Sequence, residues 1–362
     1  MVNLSEKFTQ LYRGKRIFLT GHTGFKGAWL MKILAMMGAE VKGYSLAPVK
    51  PLNLYELVGG DSVCESVIAD IRDSARLQKE LINFQPDFVF HLAAQPLVRF
   101  SYQQPLETFE TNAIGTANLL NSIRLLNKPC VIVAITTDKV YSNNEWIYPY
   151  RESDRLGGFD PYSASKACAE LIIDSFRNSF YNVADYATHN KAIAVARAGN
   201  VIGGGDWSVD RLIPDIVQAL NSKETVHIRN PKAIRPWQHV IEPLFGYLEL
   251  GYKLWTDPIK YSKAFNFGPF TSDALSVVNV VEHCIAVWGE GNYQVHSDSK
   301  HPHEAGILKL DISQALNELD WRPILTPEKA IELTIDWYKQ FRCGANASDL
   351  IEADLAVYKS LL

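Results

Sequence analysis

Short apolar runs alternate with longer amphipathic stretches over the first half of the chain. The apolar runs are typical of buried strands and the amphipathic stretches of helices. In order they read RIFLTG, AWLMKILAMMG, EVKGYSL, DSARLQKELINF, DFVFHLAAQ, TANLLNSIRLL, VIVAITT, CAELIIDSFRNSF and AIAVARAGN. This alternation predicts a doubly wound α/β fold of the Rossmann type, with about six parallel strands.

The pattern loosens after Asn200, where a glycine-rich turn and isolated helical or strand-like segments replace the alternation. We predict a first domain over 1–200, to which segments near 234–269 return. A smaller, discontinuous α/β region, 201–233 and 270–350, would form a C-terminal substrate domain. The last helix predicted lies near ILTPEKAIELTIDWYKQF.

Composition and charge exclude several classes of protein. The net charge of -4 leaves no global basic field, so nucleic acid is not an expected partner. No apolar run is long enough for a signal peptide or a membrane span, so no membrane partner is expected. The five cysteines are far apart and lack a CxxC, which argues against disulfides and a zinc site and favours the cytoplasm.

Three glycines lie three residues apart between the first strand and the first helix, in TGHTGFKG. Gly21, Gly24 and Gly27 would allow a sharp turn and a close approach of the backbone to a pyrophosphate, with the N-terminus of the helix beyond. A glycine triplet alone is weak evidence, but its place at the head of a βα series predicts a dinucleotide site.

The end of the second strand bears on which dinucleotide binds. No acidic residue stands there, in VKGYSLAPVK, but Ser45 could bond a ribose hydroxyl. No arginine beside it marks a 2′-phosphate, so NAD is favoured over NADP. Asp70 follows the third strand, where it could bind the adenine amino group or cap the next helix, and both readings stay open.

Tyr162 and Lys166, in YSASK, have a spacing that places both side chains on one face of a helix. An ammonium beside a phenol favours the phenolate and lowers the tyrosine pKa. The pair therefore predicts a base that takes a hydroxyl proton while hydride leaves the same carbon.

With these residues in place, the chain resembles the extended short-chain dehydrogenase/reductase family, and within it the nucleotide-sugar 4,6-dehydratases, most of all their CDP-glucose branch. The motifs that carry the resemblance are TGHTGFKG, HLAAQPLVRFSYQQP, TNAIGTANLL, TTDKVY, DPYSASK, ARAGNVIGGGDW and IRPWQHVIEP. The resemblance implies bound NAD, CDP-glucose as substrate, CDP-4-keto-6-deoxyglucose as product and a role in 3,6-dideoxyhexose precursors of lipopolysaccharide O-antigen.

The resemblance also implies residue roles. Tyr162 would deprotonate the C4 hydroxyl with Lys166 beside it, Thr137 would bond the C4 oxygen, and Asp138 would protonate the departing C6 hydroxyl. The implied coenzyme contacts are Gly21, His22, Gly24, Phe25, Lys26, Gly27, Ser45, Asp70, Ile71, Leu92, Ala93, Ala94, Thr111, Tyr162 and Lys166.

Lys139 stands where the wider dehydratase group carries a glutamate as the base for C5, and the CDP-glucose branch has lysine there. An amine must be neutral to act as a base, which near pH 7 requires burial or a nearby cation such as the nicotinamide ring. A charged Lys139 would instead stabilise the enolate. Both roles remain open.

The substrate contacts implied by the resemblance are Gln95, Asn200, Arg211, Arg235, His303 and Glu304. Guanidinium groups suit the two phosphates of a sugar nucleotide, which favours Arg211 and Arg235. The HPHE stretch that contains His303 superficially looks like a metal site, but it lacks a third spaced ligand, so we expect none.

Two other functions compete with the dehydratase. A nucleotide-sugar 4-epimerase would share the glycine loop, Tyr162 and Lys166, but it has no need of Asp138 and Lys139. A non-catalytic NAD-sensing protein would not need the tyrosine and lysine. The family commonly forms dimers through two helices that flank the sheet, so a homodimer is expected.

Overall fold

The computed structural model describes residues 4–49, 51–295 and 306–362. Its strands are β1 (Arg16–Thr20), β2 (Glu40–Ser45), β3 (Glu65–Ile68), β4 (Phe88–His91), β5 (Cys130–Thr137), β6 (Lys191–Ala198), β7 (Val201–Ile202), β8 (Val226–Ile228), β9 (Ile234–Arg235), β10 (Gln238–His239), β11 (Ala264–Phe267), β12 (Leu275–Ser276) and β13 (Tyr293–Val295). Seven of them form one sheet in the order β11-β6-β5-β4-β1-β2-β3, and every pairing within it is parallel.

The helices cover both faces of this sheet. They are α1 (Leu4–Tyr12), α2 (Phe25–Met36), α3 (Leu54–Leu57), α4 (Gly60–Val63), α5 (Ser74–Phe84), α6 (Val98–Gln103), α7 (Pro105–Phe109), α8 (Gly115–Ile123), α9 (Pro161–Ser179), α10 (Tyr186–His189), α11 (Leu212–Ser222), α12 (Ile241–Thr256), α13 (Pro258–Tyr261), α14 (Val277–Trp288), α15 (Ser313–Glu318), α16 (Pro327–Arg342) and α17 (Ala347–Leu361). The predicted doubly wound α/β fold is confirmed.

Successive residues of each strand point to opposite faces of the sheet, and the core follows that rule. In β1, Ile17 and Leu19 enter a cluster with α2 and α12, whereas Phe18 enters a second cluster with α5 and α8. Both faces of the sheet are therefore buried, which explains why its strands read as continuous apolar runs.

The strand order reverses beside β1, because β2 lies on one side of it and β4 on the other. At such a reversal the connections leave toward opposite faces, and a crevice opens at the carboxyl ends of the strands. The glycine turn after β1 and the TTDKVY segment at the end of β5 both lie at this edge. The fold thus brings residues from distant parts of the sequence to one site.

The seventh strand, β11, lies in the segments near 234–269 that we predicted to return to the first domain, and it pairs with β6 at the sheet edge. Helix α17 follows the last predicted helix and packs back toward the first half of the chain, where Lys32 and Glu352 form an ion pair of 2.8 Å. The division into 1–200 and two later substrate segments remains a prediction.

No helix in the described residues is long and apolar enough to cross a membrane.

Candidate active site

The glycine turn after β1 has no room for side chains at two positions. Gly21 has φ +78°, and a Cβ there would lie 2.7 Å from the Ala93 nitrogen. A Cβ on Gly27 would lie 1.9 Å from the Gly21 carbonyl oxygen. The backbone therefore folds tightly upon itself and leads directly into α2, whose first amide groups face the crevice edge. This arrangement fits a dinucleotide pyrophosphate at the positive end of the helix dipole.

The adenine end of the predicted coenzyme site lies across β2 and β3. Ser45 contacts Thr23 of the glycine turn through a hydroxyl pair of 2.8 Å. Asp70 binds the Arg72 guanidinium at 2.6 Å, and this bond holds the pKa of Asp70 below its usual range. The cap of α5 is Asp73, which accepts from the Arg76 amide. The capping interpretation of Asp70 is therefore wrong, and adenine recognition stays a prediction.

Other predicted coenzyme residues border the crevice in different ways. The His22 ring is buried and bonds the Ser66 hydroxyl at 2.8 Å, so only its backbone faces the turn. The Ala93 amide donates to Thr20 of β1 at 3.1 Å. The remaining predicted coenzyme contacts lie within the described residues, where Ile71 is buried and the others are half-buried, and their contact with the coenzyme stays a prediction: Phe25, Ile71, Leu92, Ala94 and Thr111.

Tyr162 and Lys166 lie in the first two turns of α9, which begins with an Asp160 cap and a proline. Lys166 is 6 % exposed, and its ammonium donates to the Ile135 carbonyl of β5 at 3.0 Å. Burial lowers the pKa of Lys166 to about 8. Helix α9 is thus fixed to the strand that carries the TTDKVY segment.

The pKa of Tyr162 is not lowered, in contrast to the expectation from its spacing to Lys166. Burial raises it to about 12, and this outweighs the hydrogen bond with Thr137 and the charge of Arg211, which both lower it. Phenolate formation in this protein alone is therefore unfavourable at neutral pH. A further positive charge in the crevice is needed to bring the tyrosine into the working range of a base.

Asp138 is the most deeply buried acid at the end of β5, with 1 % exposure. One carboxylate oxygen accepts from the Thr137 hydroxyl at 2.9 Å, and the other has no hydrogen-bond partner among the described residues. That second oxygen faces Gly199, where a Cβ would lie 3.0 Å away. Burial raises the pKa of Asp138, although Lys139, Thr137 and Arg235 oppose the rise.

Lys139 lies in the short 3₁₀ turn Asp138–Val140 and is half-buried. Its backbone amide donates to the Thr137 hydroxyl at 3.4 Å. Among the neighbouring groups that lower the pKa of Asp138, the Lys139 ammonium has the largest effect. The two neighbours are therefore coupled electrostatically, and the protonation of the acid depends on the charge of the amine.

Lys26 is a charged group whose position the glycine motif alone does not reveal. Its ammonium lies 3.5 Å from the hydroxyl of the buried Tyr247. Its pKa is lowered to about 7, chiefly by burial and also by the charges of Arg211 and Lys166, while Asp138 opposes the change. The positive charges of Arg211 and Lys166 in this part of the crevice favour an anionic ligand.

The predicted phosphate-binding arginines approach the same crevice from the second half of the chain. Arg211 lies 3.5 Å from Asp206, and its charge acts on both Tyr162 and Lys26. Arg235 is 9 % exposed, donates to the Ile234 and Gly306 carbonyls and acts on Asp138. Asn200 is half-buried directly after β6 and its carbonyl accepts from the Gln238 amide.

Gln95 and the histidine-rich segment differ from these arginines. The Gln95 side chain bonds Leu97 twice and the Thr108 hydroxyl once, so it organises its own loop. His303 and Glu304 lie outside the described residues. Within the described part of the chain, no cluster of histidine, cysteine, aspartate or glutamate could hold a metal ion.

A buried ion pair behind the TTDKVY segment was not predicted. Arg197 of β6 binds both carboxylate oxygens of Glu170, which lies on α9. Glu170 follows Lys166 by four residues, so the helical spacing could have indicated that both lie on one face. The sequence around Arg197 contains no comparable pattern, because its partner Glu170 lies on α9 rather than on β6.

Comparison with known proteins identifies relatives over nearly the whole length. The family model described as GDP-mannose 4,6 dehydratase matches residues 18–334. A CDP-glucose 4,6-dehydratase of Salmonella typhimurium is 47% identical and aligns with 96% of this chain and 97% of its own length. A UDP-glucose 4-epimerase of Mycoplasma pneumoniae is 25% identical over 75% of this chain and 82% of its own.

Solved structures share the fold at lower identity. The dTDP-glucose 4,6-dehydratase DesIV of Streptomyces venezuelae, with NAD and TYD bound, has a TM-score of 0.75 at 23% identity and covers 92% of this chain and 99% of its own. The epimerase Mth375 of Methanothermobacter thermautotrophicus has a TM-score of 0.79 at 22% identity, covering 97% and 98%. The resemblance to nucleotide-sugar dehydratases is confirmed, and this chain belongs to the GDP-mannose 4,6 dehydratase family.

Proposed function

We propose that this enzyme is an NAD-dependent hydro-lyase that converts CDP-glucose to CDP-4-keto-6-deoxyglucose with loss of water. The relative that is 47% identical over 96% of the chain supports both the reaction and the substrate. The observation that carries the proposal is Asp138, a buried acid at the end of β5 with a raised pKa and one oxygen that has no partner in the described part of the chain. Water loss requires such a proton donor.

The residues of the crevice fit NAD. The turn at Gly21 and Gly27 leaves the backbone bare where a pyrophosphate would approach, and the cationic surroundings of Lys26 suit its negative charge. When bound, NAD provides a hydride acceptor for C4 and a hydride donor for C6. The chain must therefore keep one sugar in place, exclude water and move protons between the two transfers.

Tyr162 takes the proton of the C4 hydroxyl in the oxidation half. Its raised pKa favours the neutral phenol in the protein alone, so the added positive charge of bound ligands must lower that pKa. Lys166 lies on the same face of α9 with a pKa of about 8 and holds the helix on β5. Thr137 bonds the developing ketone oxygen or orients the tyrosine.

Asp138 gives its proton to the C6 hydroxyl in the elimination half, so that water rather than hydroxide leaves. A raised pKa is what this role requires, because the acid must be protonated before the step. Lys139 acts on C5, either as a neutral amine that removes the hydrogen or as an ammonium that stabilises the enolate. Its charge also sets the acidity of Asp138.

Arg211, Arg235 and Asn200 bind the diphosphate and sugar from the opposite wall. Bidentate guanidinium contacts suit phosphate oxygens. Burial of Arg235 at 9 % exposure means that its charge acts in a low-dielectric environment, where it attracts an anion strongly. The preference for cytidine is supported by the sequence relative. A role of the product in 3,6-dideoxyhexose and lipopolysaccharide precursors is inferred from the family resemblance alone.

The test offers purified protein and NAD a panel of CDP-, dTDP-, GDP- and UDP-glucose labelled with deuterium at C4. We expect the CDP substrate to give a 4-keto-6-deoxy product that carries the label at C6, with solvent hydrogen at C5. Mass spectrometry and NMR read both positions. Tyr162→Phe should abolish label transfer and serves as the matched negative control.

A product that keeps its 6-hydroxyl and differs only in configuration at C4 would establish the epimerase instead. Tight NAD binding without turnover of any sugar nucleotide would favour a sensing protein. Efficient reaction with another nucleotide sugar, and none with CDP-glucose, would retain the dehydratase and reject the substrate.

We also infer that the enzyme is a cytoplasmic homodimer. Exposed apolar side chains on the helices that flank the sheet support association, since Leu106 of α7 is 77% exposed and Leu171 of α9 59%. The five free cysteines are compatible with a reducing compartment. Light scattering of the protein and of Leu171→Arg tests the dimer, which the variant should dissociate.

A further inference from the structure

Both ends of the segment 136–141 are tied to the same buried ion pair. At one end, the Thr136 hydroxyl donates to Glu170 at 2.6 Å. At the other end, Arg197 donates to the Tyr141 hydroxyl at 2.8 Å. Because Glu170 and Arg197 also bind each other, the six-residue segment is closed into a loop of hydrogen bonds around its reactive centre.

The ion pair itself is well suited to hold a fixed geometry. The Arg197 Nε lies 2.9 Å from each carboxylate oxygen of Glu170. The two side chains are 4% and 2% exposed. Arg197 also donates through Nη1 to the Glu152 carbonyl at 3.0 Å, so both Nη1 hydrogens have acceptors. A planar guanidinium with several buried partners has little freedom to shift.

The residues between the two ties are held much less firmly by their own side chains. Asp138 has one hydrogen bond, to Thr137, and an oxygen without a partner in the described structure. The position of its carboxyl group therefore depends on the backbone turn, and the turn depends on what holds Thr136 and Tyr141. Tyr141 is further fixed through its donation to Asn266 of β11 at 2.7 Å.

The ion pair also relates this turn to the residues of the oxidation step. Glu170 follows Tyr162 and Lys166 along one face of α9, so its carboxylate moves with the helix that bears them. The Glu170–Arg197 pair thereby fixes the distance between the groups that act at C4 and those that act at C5 and C6. A displacement of about 1 Å in such a constellation can cost about a hundredfold in rate.

We infer that Glu170 and Arg197, through Thr136 and Tyr141, are positioning residues that align Asp138 and Lys139 with the substrate for the elimination step. The inference rests on the proposed dehydratase function. It assigns no contact with substrate to these four residues. Loosening either tie should therefore impair water loss while C4 oxidation, which depends on Tyr162 and Lys166, continues.

The experiment uses Tyr141→Phe and Thr136→Val, which remove one hydroxyl each and keep the shape of the side chain. The matched controls are Tyr12→Phe, whose buried hydroxyl donates to the Leu248 carbonyl at 2.7 Å, and Thr334→Val, whose hydroxyl donates to Ala330 at 2.7 Å. Each control loses one buried hydrogen bond far from the turn. Thr136→Ser keeps the hydroxyl and tests rescue.

Reactions with CDP-glucose and NAD are stopped with sodium borodeuteride, which reduces ketones and labels them at C4. Mass spectrometry then gives the ratio of labelled hexose, from the ketone that still has its C6 hydroxyl, to labelled 6-deoxyhexose. We expect kcat to fall about tenfold in Tyr141→Phe and Thr136→Val, with KM within about twofold and the hexose fraction raised. Both controls and Thr136→Ser should match the wild type.

Two outcomes would overturn the inference. In the first, Tyr141→Phe and Thr136→Val lower the melting temperature as much as their controls do, but keep the wild-type kcat and the wild-type ratio of hexose to 6-deoxyhexose. That result would show that the ion pair only stabilises the fold. An equal loss of oxidation and elimination would show that the pair does not act selectively on the turn. Absence of any 6-deoxyhexose from the wild type would instead reject the proposed function, and the inference with it.

Discussion

Two pairs of oppositely charged side chains lie near the end of β5, and they are built in opposite ways. Glu170 and Arg197 bind each other through two contacts of 2.9 Å and are almost fully buried. Asp138 and Lys139 are sequence neighbours, yet Asp138 has a raised pKa and an oxygen without a partner among the described residues.

The difference separates a pair that holds structure from a pair to which we assign the elimination chemistry. A buried carboxylate with a bidentate partner stays ionised, and its position is fixed by that partner. A buried carboxylate with incomplete hydrogen bonding is destabilised in its charged form, so it retains a proton that it can give away. The incomplete hydrogen bonding of the Asp138 carboxyl thus reduces the stability of the fold, and a proton donor requires such an environment.

The strongest test of this comparison replaces the reactive acid. We expect Asp138→Asn to slow water loss by about 10²–10³-fold, because the amide cannot supply the proton, while C4 oxidation continues. The free energy of unfolding should not decrease, since the substitution removes a poorly satisfied buried carboxyl. Rapid-quench product analysis and urea unfolding measure the two quantities. Full dehydration by this variant would require another acid.

Breaking the Glu170–Arg197 pair should instead lower the free energy of unfolding. Arg197→Met leaves the Glu170 carboxylate buried without its cation, so we expect a loss of about 3–5 kcal/mol in the free energy of unfolding. The double variant Glu170→Met/Arg197→Met should recover part of that loss, because no charge remains buried. Urea unfolding at pH 7 checks both. Equal stability of the single and double variants would contradict this account.

The coupling between Asp138 and Lys139 gives a prediction in pH. The charge of Lys139 lowers the pKa of Asp138. In Lys139→Gln that pKa should rise, so the protonated acid persists to higher pH and the alkaline limb of the elimination rate moves upward by about one unit. Exposed Lys79→Gln is the control. A limb that stays in place or moves downward would show that another group controls it.

A smaller effect is expected where a buried carboxyl serves no reaction. Burial raises the pKa of Asp354 of α17 to about 8. The folded protein therefore binds a proton that the unfolded chain releases near its usual pKa, and stability falls as pH rises between about 4 and 8. Asp354→Asn should remove this decline, so its gain in stability should be larger at pH 8 than at pH 5, by at most about 1.4 kcal/mol per pH unit.

Thermal unfolding at the two pH values checks the prediction for Asp354, with exposed Glu290→Gln as control. A gain of equal size at both pH values would point to packing rather than to proton binding. The Asp138 and Asp354 variants together test whether a buried carboxyl with incomplete hydrogen bonding always lowers the stability of the fold, inside the proposed active site or away from it.

Much of the fold follows from local patterns. Six strands of the sheet were readable because parallel strands buried on both faces form continuous apolar runs. The glycine turn and the Tyr162–Lys166 spacing were readable because each depends on residues close in sequence. The confirmed fold then implies that Thr137 and Tyr162 meet, since strand ends and the helix after them share one edge of the sheet.

The remainder depends on contacts between distant segments. The hydrogen bond between Arg197 and Tyr141 forms because β5 and β6 are neighbours in the sheet. No periodicity in either segment predicts this contact. The low pKa of Lys26 arises from burial beside Arg211 and Lys166, which only the folded chain brings near. Likewise, the upward shift of Tyr162 reflects burial that outweighs the local influence expected of its helical neighbour.

The position of β11 has a consequence for how the chain is made. Strand β6 ends at Ala198, but its outer partner begins only at Ala264. If β6 joins the sheet during synthesis, its outer edge stays open while about 65 further residues are added, which takes about 3–13 s at about 5–20 residues per second. Such an edge can pair with another nascent chain. The yield of correctly assembled protein should therefore depend on what protects that edge in the interval.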